Sequence, residues 1–454
     1  MTAVPTFRAA RRTVPVAWAA AAAAIIATAM AERSEAADGP GGCRVAWSCS
    51  IPDHPLSAGV GIGGLSDLAV SATTSDVISL WTITDRGPNG TTKVDGRSAR
   101  TLVAPEFVPA LVLVRVEHGG SQAARATASV EKVVPLVTPK HGPLSGRPRV
   151  PDAESPIVHP ESLEPVAADP HGVDTEAIVP LGDGTFWIAE EYGPSLIHVS
   201  QEGEVLARHV PAGTEATGAG VAERGSLPAA YARRRDNRGF EGLAATPDGR
   251  RLWAILQSPL DDEKKKVSRK AGNVRLLAFD PRAGRPVAEH VYRLGNPADP
   301  DYLTKGAAPD DGKLCAIAVL AAGRLLVLEQ DDDGLAHLYA VSPAGATDTL
   351  GWRPPAAAEA ETLEQVVDLR AARLAPVTKK LVADLTELRA TMAAEADGGS
   401  RPRHGPLKLE GLAVLGPRHV AIVNDNDFSV HDRDPPGRAS RLWVLELDRP
   451  LTGR

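Results

Sequence analysis

Aromatic residues make up only 4% of the chain, and cysteine and methionine number three each. Scarce aromatics beside 42 glycines and 38 prolines argue against a helical bundle and for short strands joined by tight turns. Three cysteines exclude a disulfide-dense scaffold, and without neighbouring histidines they predict no zinc site. Positive charge is also in deficit, with 50 Lys and Arg against 57 Asp and Glu, for a net charge of −7. Such a balance offers nothing to nucleic acid, whose partners carry a basic face. Beyond the N-terminus no stretch is long and apolar enough to cross a bilayer.

The first 37 residues read as a signal peptide. Arg8, Arg11 and Arg12 precede an uncharged, alanine-rich run from Val14 to Ala31, and Ala29-Met30-Ala31 offers a small-residue cleavage site. An uncleaved anchor is the alternative. Residues 38–57 read as a linker, and the ordered domain is expected over 58–449. The chain is then expected to be exported, periplasmic or extracellular, and monomeric. Cys43 and Cys49 predict a small-loop disulfide in that setting, with a lipid-modified Cys43 as the alternative. Cys315 sits in an apolar run and reads as a buried small hydrophobe.

What is present is a repeat. Thr175-Glu176-Ala177, Phe240-Glu241-Gly242 and Leu409-Glu410-Gly411 each open an apolar strand. Each strand turns into a second one that leaves through a polar exit: Glu190-Glu191, Gln257, or Asn424-Asp425-Asn426-Asp427. Turns such as Gly182-Asp183-Gly184 and Pro247-Asp248-Gly249 separate the strands. A further unit from Leu314 keeps its exit acid, Glu329, but shows Ala316-Ile317 at the expected entry. Four-stranded meander units at this spacing predict an all-β propeller. Four units are plain, the segment from Leu65 makes a fifth, and Phe107 to Pro170 is expected to supply a sixth. Residues 353–403 read as one inserted helical loop, with helical periodicity over Val377 to Met392. Lys264 to Lys270 reads as a solvated loop or a grip for an anion.

Inner strands of a propeller gather around one axis, and carboxylates gathered there repel unless a cation compensates them. Hard carboxylate and amide oxygens suit calcium. The candidate metal ligands are Glu176, Glu241, Glu410, Asn424, Asp425 and Asp427. Glu190, Glu191, Arg86 and Asp85 are the candidate catalytic residues. The alternative is that these carboxylates bond backbone amides of a neighbouring blade and merely staple the ring. Ser195 lacks a nucleophile elbow around it, and Gly61 to Gly64 precede no helix, so neither a serine nucleophile nor a phosphate loop is expected.

Four phrases in order carry a resemblance. They are Asp85-Arg86-Gly87-Pro88-Asn89, Phe186 to Pro194, Asn237 to Ala244, and Leu409-Glu410-Gly411-Leu412 with Asn424 to Phe428. Together they resemble the bacterial phytase-like domain family, described as carrying an esterase-like activity of phytase. The resemblance covers about residues 58 to 449. It implies an exported β-propeller that hydrolyses a small-molecule phosphate ester with a metal, and the hard-oxygen ligand set makes Ca2+ the expected ion. Glu190 or Glu191 would then act as general base, and Arg86 would grip the phosphate. A calcium-dependent carboxylic esterase or lactonase, and a binding propeller with structural calcium, are the alternatives.

Overall fold

The structure is a computed structural model. It describes residues 42–119, 126–139, 142–149, 156–216, 220–262, 264–305, 308, 311–355, 358–402, 405–429 and 437–451. The signal segment read at 1–37 lies outside the described residues.

Strand β1 (Cys43–Ser50) opens the described chain. β2 (Ala69–Thr73) and β3 (Val77–Ile83) start the first blade. The chain then leaves for a hairpin, β4 (Asn89–Val94) and β5 (Arg97–Leu102), and returns as β6 (Ala110–Glu117) and β7 (Thr127–Pro135). A short pair follows, β8 (Val137–Thr138) with β9 (Gly142–Pro143), and β10 (Ile157–Val158) joins the hairpin in parallel. The second blade is β11 (Thr175–Pro180), β12 (Phe186–Glu190), β13 (Ser195–Val199) and β14 (Val205–Pro211), with β15 (Glu223–Leu227) added in parallel. The third is β16 (Phe240–Ala245), β17 (Leu252–Leu256), β18 (Asn273–Asp280) and β19 (Arg285–Arg293). The fourth is β20 (Lys313–Val319), β21 (Leu325–Gln330), β22 (Ala336–Ser342) and β23 (Thr378–Asp384). The fifth is β24 (Lys408–Gly416), β25 (His419–Asp425) and β26 (Arg441–Leu447), completed by β1 on its outer edge.

The fold is therefore the expected all-β propeller, and the described residues build five blades. β2, β11, β16, β20 and β24 are the innermost strands, and each lies beside the next until β24 returns to β2. The strands expected to make a sixth blade go elsewhere. β3 pairs directly with β6, from Val77↔Glu117 to Ile83↔Leu111, so β6 and β7 finish the first blade.

Three further expectations change. Cys43–Ser50, read as linker, forms β1 and zips antiparallel along β26 from Cys43↔Leu447 to Ser50↔Arg441. Cys43 and Cys49 thus lie six residues apart on one strand, about 20 Å, where a disulfide tolerates roughly 7 Å between Cα atoms. Both thiols are free. The helical periodicity over Val377 to Met392 splits between strand and helix. Thr378–Asp384 satisfies the open edge of β22, and a helix (Thr386–Ala396) starts only after it. Asp384 Oδ1 accepts the Thr386 N–H at 2.9 Å and marks the change. The lysine patch forms a short helix (Lys265–Ala271) that Gly272 ends with a left-handed φ of 68°.

Close approach between blades explains the glycine after two of the three entry glutamates. A Cβ on Gly411 would meet the Asp67 backbone carbon of the next blade at 2.7 Å, and one on Gly242 would meet the Ile317 nitrogen at 3.1 Å. Gly411→Ala is expected to destabilise the protein by about 1–3 kcal/mol through overpacking. Gly416→Ala, at a strand end where a Cβ meets nothing within 4 Å, should stay within about 0.5 kcal/mol. Chemical denaturation of the two variants checks this, and equal stability would refute it.

Candidate metal centre and active site

Four of the five inner strands carry a β-bulge near their start. The pairing skips one residue each time: Glu176 in β11, Glu241 in β16, Cys315 in β20 and Glu410 in β24. A bulged residue leaves the ladder, and its side chain is re-aimed. Three of the predicted metal ligands thus share one structural position. The fourth occupant is Cys315, which sequence reasoning missed by one residue. The signal was present, since Cys315 is followed by Ala316 as Glu176 is by Ala177.

The second strand of each blade ends in another set of polar residues: Asp85, Glu191, Gln257, Gln330 and Asp425. Entry and exit residues divide into two groups. Ligand oxygens of Asp174, Glu176 and Glu191 lie within 4.8 Å of one another. Ligand atoms of Glu241, Cys315 and Glu410 do the same. Asp174, just ahead of β11, is a member that sequence reasoning left out.

Arg86 faces the first group. Its Nη1 lies 3.1 Å from Asp174 Oδ2 and its Nη2 lies 3.9 Å from Glu191 Oε2. The Arg86 backbone N–H also donates to Asp174 Oδ1 at 3.1 Å, and the guanidinium sits over the Tyr192 ring. One arm of the expected phosphate fork is therefore engaged with Asp174. One guanidinium does not neutralise this many acids. Burial, then the Asp174 charge, push the Glu191 carboxyl up to about 8. Burial and the charges of Asp174 and Glu241 push Glu176 well above its ordinary range. Burial and the charges of Asp425 and Asp174 do the same to Asp85, whose Oδ1 accepts the Gly87 N–H at 2.7 Å.

Glu190, the neighbour of Glu191, belongs to the framework. Its oxygens accept N–H donors from Asp174, Tyr192 and Gly193 and the Ser195 hydroxyl, and Arg208 Nη2 lies 2.9 Å away. Burial alone would raise it, but Arg208 and Ser195 prevail and hold it below its ordinary range. A carboxylate so engaged has no free face for a proton or a cation.

The Asn424–Asp427 stretch is likewise committed. Asn424 Oδ1 accepts the Arg441 N–H at 2.8 Å and Nδ2 donates to Ala439 O at 3.2 Å. Asn426 Oδ1 accepts the N–H groups of Gly64 and Phe428, tying the fifth blade to the first. Lys408 Nζ bonds Asp425 Oδ2 at 3.2 Å and also Asp427. Burial and the Asp427 charge, opposed by Lys408, push Asp425 up to about 7. Asp67, outside the predicted set, is a staple between blades, because its Oδ2 accepts the Ile178 N–H of the next blade at 2.9 Å.

In the second group, Gln257 Nε2 donates to Glu241 Oε1 at 2.5 Å, and Gln330 Nε2 donates to Cys315 Sγ at 2.8 Å. Burial, then the Glu410 and Glu191 charges, push Glu241 well above its ordinary range. Burial also raises Glu410, against the opposing charges of Lys313 and Lys408.

Two outcomes separate Glu190 from Glu191. Glu190→Gln breaks a buried ion pair and is expected to cost about 3–5 kcal/mol of stability. For Glu191, the folded chain keeps its proton up to about 8, whereas the ordinary carboxyl releases it near 4.5. The folded state therefore binds more protons between these values. That contribution is full below 4.5 and is lost as pH rises through about 8. In chelator-treated protein, Tm should fall across this window, and Glu191→Gln should flatten the fall. An unchanged slope in the variant would refute the assignment.

A family model described as esterase-like activity of phytase matches residues 60–428. An uncharacterized secreted protein of Arthroderma benhamiae is 29% identical over 187 residues, which is 37% of this chain and 36% of that protein. The match thus spans about a third of that relative's length. Among solved structures, a putative glucose dehydrogenase of Thermus thermophilus is 15% identical with a TM-score of 0.31, over 89% of this chain and all of that one. The PQQ-bound aldose sugar dehydrogenase of Streptomyces coelicolor is 13% identical with a TM-score of 0.31, over 90% of this chain and all of that one. Both structural likenesses are too slight to bear on activity. The family match covers most of the chain and includes all four of the phrases at Asp85, Phe186, Asn237 and Leu409, and the chain belongs to the phytase-like family.

Proposed function

We propose that this protein is an exported hydrolase of phosphate esters that works with a divalent cation held by Asp174 and Glu176. The observation that carries the reading is the convergence of Asp174, Glu176 and Glu191 within 4.8 Å beside a single guanidinium. Membership of the phytase-like family supports ester hydrolysis. The N-terminal segment and the secreted relative support export.

The residues fit such an ion. Their donors are hard carboxylate oxygens, which calcium prefers, and burial leaves their charge in need of a counterion. Bound there, calcium would polarise a phosphoryl oxygen and acidify a water.

The remaining roles belong to the chain. Glu191 is the proton acceptor, since a carboxyl pushed up to about 8 sits near working pH. Its oxygens lie within 4.8 Å of those of Asp174 and Glu176, a span that one bridging water covers. Arg86 positions Asp174 through Nη1 and turns its looser Nη2, 3.9 Å from Glu191, to an anionic substrate oxygen. Glu190 acts only through the framework, by fixing the turn that follows β12.

Purified protein is expected to hydrolyse phosphate mono- or diesters, to lose that activity on chelation and to regain it with calcium. Glu191→Gln should lower kcat by roughly 10²–10⁴-fold while the variant stays folded. Turnover of aryl esters or lactones alone, or no chelator-sensitive turnover of any phosphate ester, would overturn the proposal.

A further inference from the structure

The second group differs from the first in chemistry. Glu241 and Glu410 are 3% and 8% exposed, and Cys315 is fully buried. Oε2 of Glu241 and Oε2 of Glu410 are buried with no hydrogen-bond partner. An unpartnered buried carboxylate oxygen is costly, and here two of them belong to side chains whose ligand atoms converge with a sulfur within 4.8 Å. Lys313 offsets part of their charge, but its Nζ pairs with Asp332 Oδ1 at 2.6 Å and neither Oε2 receives a donor.

We infer that Glu241, Cys315 and Glu410 form a second cation site, built for a borderline-soft divalent ion of the zinc class. A sulfur ligand selects against calcium and for such ions. Two carboxylates and one thiolate make three protein ligands, and a tetrahedral ion keeps a fourth position open. The ligands come from the bulges of three successive blades, so one backbone device presents them all.

The surrounding amides are arranged for this. Gln330 Nε2 donates both to Cys315 Sγ and to Leu409 O, at 2.8 and 3.0 Å, while its Oε1 faces the Leu409 N–H at 3.4 Å. The Leu409 backbone thereby fixes which end of the amide meets the sulfur. A donor held on sulfur favours the thiolate and orients it, the usual task of a metal ligand's outer partner. Gln257 does the same for Glu241. The two blades that place Gln257 and Gln330 at the strand exit are those that supply Glu241 and Cys315.

The test uses full-length protein stripped with a chelator and titrated with Co2+. A thiolate-to-cobalt charge-transfer band in the near ultraviolet is expected. Cys315→Ser should abolish it, and a Cys43→Ser/Cys49→Ser double variant should keep it. Glu176→Gln should also keep it, which separates this site from the all-carboxylate one. Gln330→Leu should weaken cobalt affinity roughly 10- to 100-fold without touching a ligand, so the site stays testable if Cys315→Ser does not fold. Absence of the band in the wild-type protein, or its survival in Cys315→Ser, would overturn the inference. None of these readings uses hydrolysis, so the failure of the phosphate-ester proposal is distinguishable from the failure of this one.

Discussion

Like charges brought together in a buried place govern this protein. The bulges aim Glu176, Glu241 and Glu410 inward, and the strand exits add Asp85, Glu191 and Asp425. In a poorly solvated setting such carboxylates resist ionising together. The chain meets the repulsion in different ways at different points. Arg86 offsets part of it at Asp174 and Glu191, and Lys408 offsets part at Asp425 and Asp427. Elsewhere the acids hold protons more tightly, which is why Glu176, Glu241 and Asp85 all titrate well above their usual range. A centre in this condition accepts cations readily, because an ion replaces protons that the fold has already retained.

The ring closes on both its outer and its inner side. β1 and β26 join the two ends of the described chain into one sheet. On the inner side, Asn426 bonds Gly64 across the seam between the fifth and first blades. Asp427, Phe428 and Ser429 follow with left-handed φ values of 47°, 51° and 59°, a run that is strained for residues other than glycine. That turn brings Asp427 to Lys408. The asparagines of this stretch hold backbone, and its aspartates hold a lysine.

Much of the architecture was legible because meander blades announce themselves. Turns such as Gly182-Asp183-Gly184 and alternating apolar runs mark the strands, and the entry glutamates fall at one position as expected. What stayed hidden turns on single-residue offsets. A bulge is one extra residue, and in a strand one residue changes the face. Reading the fourth unit without its bulge put Ala316 where Cys315 stands. The same alternation separates Glu190, which points into the blade toward Ser195 and Arg208, from Glu191, which meets the acids. Lys379 to Ala383 read as helix because local periodicity cannot show that β22 has an open edge to fill. Neighbours far along the chain decided each of these points, as when Val77 to Ile83 took Leu111 to Glu117 as partners and removed the sixth blade.

The ring is not chemically uniform, and that asymmetry bears on which ions it can take. Three exits end in carboxylates, Asp85, Glu191 and Asp425, whereas two end in amides, Gln257 and Gln330. Carboxylate exits add negative charge and hard oxygens, which suit an ion that binds many oxygens and tolerates irregular geometry. Amide exits add no charge. They donate to the ligand beside them, as Gln257 does to Glu241 and Gln330 to Cys315, and so fix its direction. Charge without orientation favours calcium, and orientation with a sulfur favours an ion of low coordination number. Among the entry residues, Glu176 lies on the acid side and Glu241 and Cys315 on the amide side, while Glu410, from a blade with a carboxylate exit, joins the latter two. A propeller that repeats one backbone device four times has thus diversified its side chains in two directions around a single axis.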